Sequence, residues 1–228
     1  MNSERRRRMK DFENSKNQCL NKSDKSSAGQ WDAHAVEICN LLNSYDCFYT
    51  TSSCSGRSFL YSGAGIKSTN TFQRFRVSHE LIVDCQRYFD VSSLQSDSTT
   101  AGADDEEEYN DTKSGSNDDS IQSPVVWLRF EPFILHVACR SLNAASVLMN
   151  AARPAFKNVG ITSLSNKNHI ILAIWGDEGL EMPLTDQYGD SFPLDRNWLK
   201  DLVNERHERN WAKMDRFKAA IPILPKSI

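Results

Sequence analysis

Apolar positions recur at two periods along this chain. Over 3–20, Met9, Phe12, Lys16 and Leu20 fall at steps of three and four, which predicts a helix with one narrow apolar stripe. The polar run 21–30 reads as a loop. A second helix is expected from about Asp32 to Ser44, with Ala35, Ile38, Cys39, Leu41 and Leu42 on its buried side. Strand patterns follow at 46–51 and 57–62, joined by a tight Ser- and Gly-containing turn, and 71–78 alternates as a third strand through Phe72, Phe75 and Val77. Ser78 is placed to cap a helix over 79–89. Two apolar strands flank Glu131-Pro132, at 125–130 and 133–139, and Ser141 caps a helix over 142–153 that Pro154 ends. Strands are expected near 159–164, 169–175 and 180–184, the last two linked by Gly176-Asp177-Glu178-Gly179, which carries a hairpin signal. A long helix over about 195–219 closes the pattern. Strands in hairpin-like runs with few βαβ alternations predict an α+β chain, and no strand ends in the glycine fingerprint of a Rossmann cofactor site.

Composition changes this picture in one place. Between 91 and 123 nine acids face a single base, Lys113, and aliphatic residues are almost absent. Such a segment cannot offset the entropy of ordering, so it is expected to be a disordered acidic insertion within a single domain spanning 1–228. It carries −8 of a chain whose net charge is −3, which leaves the remainder at +5, a basic body suited to a polyanion. No run of 18 apolar residues is present, so no membrane partner is expected. The six cysteines form no C-x-x-C pair and the five histidines show no ligand spacing, so free thiols in the cytoplasm are expected, and no metal.

The richest chemistry lies in Thr50-Thr51-Ser52-Ser53-Cys54-Ser55-Gly56-Arg57. Hydroxyls, backbone N–H groups and a guanidinium are gathered there, a donor set that suits an anion or a polar small molecule. An ordinary Ser-rich turn is the plainer reading of the same residues. Cys54 and Arg57 are too close in sequence to wrap a phosphate as thiolate phosphatases do. In the strand 133–139, Ile134, His136 and Ala138 share a face with Arg140, so an imidazole and a guanidinium project to one side.

Thr50-x-Ser52-Ser53-Cys54-x-Gly56-Arg57 resembles the signature of the tRNA wybutosine-synthesising protein 3 family. The resemblance extends to Phe12, Cys19-Leu20, Lys22-x-Asp24, Gly29-x-x-Asp32, Val77-x-His79 and the run from Phe130 to Arg140. It continues through Phe156-x-Asn158-x-Gly160-Ile161-Thr162 and Gly179-Leu180-Glu181-x-Pro183-Leu184, so that only 91–123 and the C-terminal tail fall outside it. It implies a two-layer α/β sandwich with a mixed, largely antiparallel sheet, not of Rossmann type. It implies methyl transfer from S-adenosylmethionine to ring N4 of 7-(3-amino-3-carboxypropyl)-4-demethylwyosine beside the anticodon of phenylalanine tRNA.

Under that resemblance Asp32, His79 and His136 are expected as catalytic groups that hold an ammonium or accept a proton. Thr50, Ser52, Ser53, Cys54, Gly56, Arg57, Arg140 and Asn158 are expected to bind the methyl donor or the modified base, with Cys54 as a packing thiol. Trp31, Tyr49 and Trp127 are available to stack on a splayed base, although each reads first as core. Arg5–Arg8, Lys22 and Lys25 are available to tRNA phosphates, and other enzymes of the same pathway are conceivable partners. A non-catalytic RNA-binding module that keeps the fold is the alternative.

Overall fold

The computed structural model describes residues 3–21, 32–63, 72–94, 125–164 and 170–225. Its strands form two four-stranded sheets, and every described pairing is antiparallel. The first sheet has the order β1 (Phe48–Cys54), β5 (Ile134–Cys139), β7 (Ile170–Trp175), β6 (Asn158–Leu164). The second has the order β3 (Gln73–Ser78), β2 (Arg57–Ser62), β4 (Val126–Glu131), β8 (Leu180–Pro183). The α+β expectation holds, with the strands divided between two sheets.

The helices are α1 (Ser3–Leu20), α2 (Ala33–Asn43), α3 (Cys85–Tyr88), α4 (Leu142–Ala152) and α5 (Arg196–Ala220). Asp32 caps α2 by accepting from His34 N, and Ser141 Oγ caps α4 by accepting from Ala144 N at 3.1 Å. One face of the first sheet, with Phe48, Leu135, Val137, Leu172 and Ile174, buries against α2, α4 and the C-terminal half of α5. Leu60 and Leu128 of the second sheet bury against Leu199 and Val203 at the other end of α5. At 25 residues, α5 is about 37 Å long, enough to back both sheets.

The chain changes sheet at three corners: Ser55-Gly56 between β1 and β2, Pro132-Phe133 between β4 and β5, and 176–179 between β7 and β8. The tight turn expected between 51 and 57 and the hairpin expected at 176–179 are therefore sheet-switching bends, and β1 runs on through Cys54. The mid-point of α5 explains why they bend together. Asn210, fully buried, donates from Nδ2 to Ser55 O at 2.6 Å and accepts from Phe133 N at Oδ1 at 2.8 Å. Gly56, at φ +102°, lets the chain pass this amide, since a Cβ there would sit 3.0 Å from Asn210 Nδ2. A Cβ on Gly176 would lie 2.7 Å from Pro132 Cβ.

Two further expectations are corrected. The helix over 79–89 shrinks to Cys85–Tyr88, capped by Asp84 rather than Ser78. Asn204 of α5 takes up both backbone groups of Ile82, accepting from its N–H at 2.7 Å and donating to its carbonyl at 3.0 Å, which holds that stretch extended. At the start of the acidic segment, Val91–Ser93 forms a 3₁₀ turn and Leu94 is buried in the second core. Residues 95–123 lie outside the described residues, as do most of the 21–30 loop and Trp31.

Candidate functional site

Helix α1 covers only part of the outer face of the first sheet. Phe12 packs on Tyr49 at a centroid separation of 5.1 Å, joined by Ala138, Cys19 and Ile171. No described helix packs on the rest of that face. Residues directly opposite in antiparallel pairs point to one side of a sheet. The register therefore aligns Ser52, His136, Ala173 and Gly160 across four strands as one row of the outer face. The neighbouring row is Cys54, Ile134, Trp175 and Asn158.

At the β6–β7 end of these rows, Gly160, Trp175 and Asn158 line a shallow trough. Its floor is open at Gly160, where a Cβ would meet nothing within 4 Å. Its rim carries the Trp175 indole, edge-on to His136 at 6.3 Å. Lys157, Asn158 and Val159 line the same concavity at the β6 edge. Ser52 Oγ and His136 Nδ1 are 2.9 Å apart. A bulge between Thr50 and Ser52 sets this alignment, and Asn43 of α2 holds it by accepting from Thr50 N at 2.8 Å and donating to Thr50 Oγ1 at 3.0 Å.

Strand alternation splits the signature. Ser52 and Cys54 face outward. Ser53 pairs with the core residue Leu135, and Thr50 is buried against α2. Gly56 is a corner residue. Arg57 opens β2 in the second sheet and donates from Nε to Glu131 Oε2 at 3.0 Å, so its guanidinium already has a carboxylate. Arg140 lies at the far end of β5, where its N–H bonds Cys47 O. Six residues of strand, about 20 Å, separate it from Ile134 at the Cys54 end, so it does not join Cys54 or His79.

Asp32, Cys54 and His79 converge at the first corner, each offering a ligand atom within 4.8 Å of the others. Asp32 Oδ2 accepts from Ser55 N at 2.5 Å and lies 3.6 Å from His79 Nδ1. Asp32, followed by Cys54, raises the imidazole to about 9, so His79 is an imidazolium at neutral pH. Burial opposes ionisation of Asp32, but His79 and the Ser55 donors outweigh it and bring the carboxyl down to about 2. Asp32 and His79 thus form an ion pair with Cys54 beside them at the β1 edge of the first sheet, across the sheet from the β6 edge.

Trp175, Lys157 and Asn210 were not singled out by sequence. A tryptophan directly before Gly176 at the end of an apolar run is the one local sign of the first. Of the aromatics that were named, Tyr49 is core under Phe12, and Trp127 stacks on Tyr61 in the second sheet.

The family model described as Methyltransferase TYW3 matches residues 5–222. A mouse protein called tRNA wybutosine-synthesizing protein 3 homolog is 33% identical over 216 residues, covering 92% of this chain and 72% of its own. An Archaeoglobus fulgidus protein is 30% identical over 201 residues, covering 86% of this chain and 85% of its own. It is named tRNA(Phe) 7-((3-amino-3-carboxypropyl)-4-demethylwyosine(37)-N(4))-methyltransferase. The solved structure of PH1069 from Pyrococcus horikoshii shares the fold, with a TM-score of 0.69 at 22% identity over 94% of this chain and 98% of that one. Matched over nearly its whole length, this chain belongs to the TYW3 methyltransferase family.

Proposed function

We propose that this chain transfers a methyl group from S-adenosylmethionine to N4 of 7-(3-amino-3-carboxypropyl)-4-demethylwyosine in phenylalanine tRNA, a step of wybutosine synthesis. The observation that carries the reading is the Ser52–His136 pair in a row that runs through Ala173 to Gly160 beside Trp175, in a chain whose Archaeoglobus relative is named for this reaction.

The donor supplies an electrophilic methyl on a sulfonium, and displacement there asks the protein mainly to align two reactants. The residues fit such a donor. Trp175 offers a ring face, Lys157 a cation for a carboxylate, and the exposed Ser52 and Asn158 side chains hydrogen bonds. The small floor residues leave room for a planar base. In the tautomer that carries its proton on Nδ1, His136 donates to Ser52 Oγ and Nε2 keeps the lone pair that accepts the proton lost from the ring nitrogen. Arg7, exposed on α1, belongs to the surface that meets tRNA phosphates. None of the helices is long and apolar enough to cross a membrane among the described residues, and the described cysteines are free, in keeping with a tRNA enzyme of the cytoplasm.

The test is single-turnover transfer of labelled methyl to phenylalanine tRNA purified from cells lacking this activity, with the base identified by mass spectrometry. The expected product is the N4-methyl base, with His136→Ala slowing transfer by about 100-fold through loss of its general base. Binding of that tRNA without any transfer by the wild-type chain would instead establish a non-catalytic RNA-binding module.

A further inference from the structure

We propose that Asp32, Cys54 and His79 form a binding site for a divalent cation of the zinc class. The three are scattered through the sequence and match no ligand-spacing motif, which is why sequence expected no metal. They arrive from three different elements: the N-cap of α2, the last residue of β1, and the residue after β3. The fold alone places their ligand atoms within 4.8 Å of one another.

The donor set is thiolate, imidazole and carboxylate, the mixture that borderline-soft cations such as Zn²⁺ take. Tetrahedral coordination with bonds of about 2.0–2.3 Å separates neighbouring ligand atoms by roughly 3.3–3.6 Å. The Asp32 Oδ2 to His79 Nδ1 distance is 3.6 Å. That span is longer than a hydrogen bond and suits one edge of a coordination tetrahedron. A second observation points the same way. His79 Nδ1 is shut off from solvent and has no hydrogen-bond partner among the described residues, although a carboxylate and a thiol flank it. Asp32 is held for the task from behind, because Ser55 N–H binds Oδ2 and His34 N–H binds Oδ1.

Binding is a proton-for-metal exchange. The cation bonds to Cys54 Sγ, His79 Nδ1 and Asp32 Oδ2, and the thiol proton and the imidazolium proton pass to solvent. Three protein ligands leave the fourth position to water or to a heteroatom of a bound molecule.

The experiment uses the full-length chain with any affinity tag removed and Co²⁺ as the spectroscopic probe. The expected result is one Co²⁺ per chain, with a thiolate-to-cobalt charge-transfer band that Zn²⁺ bleaches. Cys54→Ser should lose that band while keeping its circular dichroism, and His79→Ala should weaken binding by about 10–100-fold. Should a variant misfold, the wild-type chain supplies the second readout: Zn²⁺ should protect Cys54 from alkylation, read by peptide mass spectrometry, while Cys19 stays reactive. No charge-transfer band up to about millimolar Co²⁺, a band that survives in folded Cys54→Ser, or unprotected Cys54 would each overturn the site. Methyl transfer is not read in any arm, so failure here leaves the methyltransferase reading untouched.

Discussion

Asn210 offers the sharpest test of how this fold holds its site. It sits at the centre of α5, fully buried, and bonds Ser55 O and Phe133 N at two of the three corners where the chain changes sheet. Asn210→Ala removes both partners at once. A carbonyl and an N–H are then left buried without a partner, at about 1–3 kcal/mol each. The expected loss is about 4 kcal/mol, a large part of the roughly 5–15 kcal/mol that holds a domain together. For a chain of this length that lowers Tm by about 8–16 °C. Asn210→Asp should be nearly as damaging, because it keeps the acceptor for Phe133 N–H but loses the donor to Ser55 and buries a charge. Equilibrium urea unfolding, with calorimetry for Tm, reads both variants. If both unfold within about 1 kcal/mol of wild type, the corners hold themselves and the account of Asn210 is wrong.

Other perturbations reach different parts of the molecule. His207 is fully buried, edge-on to Phe130, with no hydrogen-bond partner for either ring nitrogen among the described residues. Burial depresses its imidazole to about 4, only partly opposed by Glu80, while His79 and His34 push the same way as burial. The unfolded chain therefore binds a proton that the fold refuses, and stability present above the unfolded value near pH 6.5 falls by up to about 3 kcal/mol as pH drops toward 4. His207→Phe should flatten that part of the pH–stability curve, and an unchanged slope would refute the assignment. Glu178 is buried and held by Arg206 at 3.4 Å, Arg209 at 3.2 Å and Lys213, tying the 176–179 corner to α5. Glu178→Ala should cost about 3 kcal/mol in urea unfolding, whereas Arg209→Ala, from a side chain 55% exposed, should cost under about 1 kcal/mol. Equal losses would show that the buried carboxylate is not the keystone of that cluster.

Much of the secondary structure was legible in order and extent because it depends on local periodicity. The stripe from Phe12, the Ser141 cap, the strands at 126–139 and the long last helix are all set by residues near in sequence. The helix expected over 79–89 failed because Asn204, 122 residues away from Ile82, competes for its backbone. The Gly176–Gly179 bend is turn chemistry in either case. Which sheet receives the next strand is a question that Asn210 and α5 answer.

The site divides along the same line. The sequence by itself determined the chemical inventory: a donor-rich signature, a histidine alternating with apolar neighbours, and a resemblance that named a reaction. Alternation of side chains with period two was also enough to place His136 on one face. Tertiary structure decided which of these groups meet. The Thr50–Ser52 bulge and the pairing register put Ser52 beside His136 and bring Trp175 and Asn158 alongside. Strand length carries Arg140 to the far end, and Arg57 is turned onto the second sheet, against Glu131. Asp32, Cys54 and His79 are brought together only because α2 begins, and β1 and β3 end, at one corner. Local patterns carry conformational preference over a few residues. Register, sheet membership and convergence arise from contacts between residues distant in the chain.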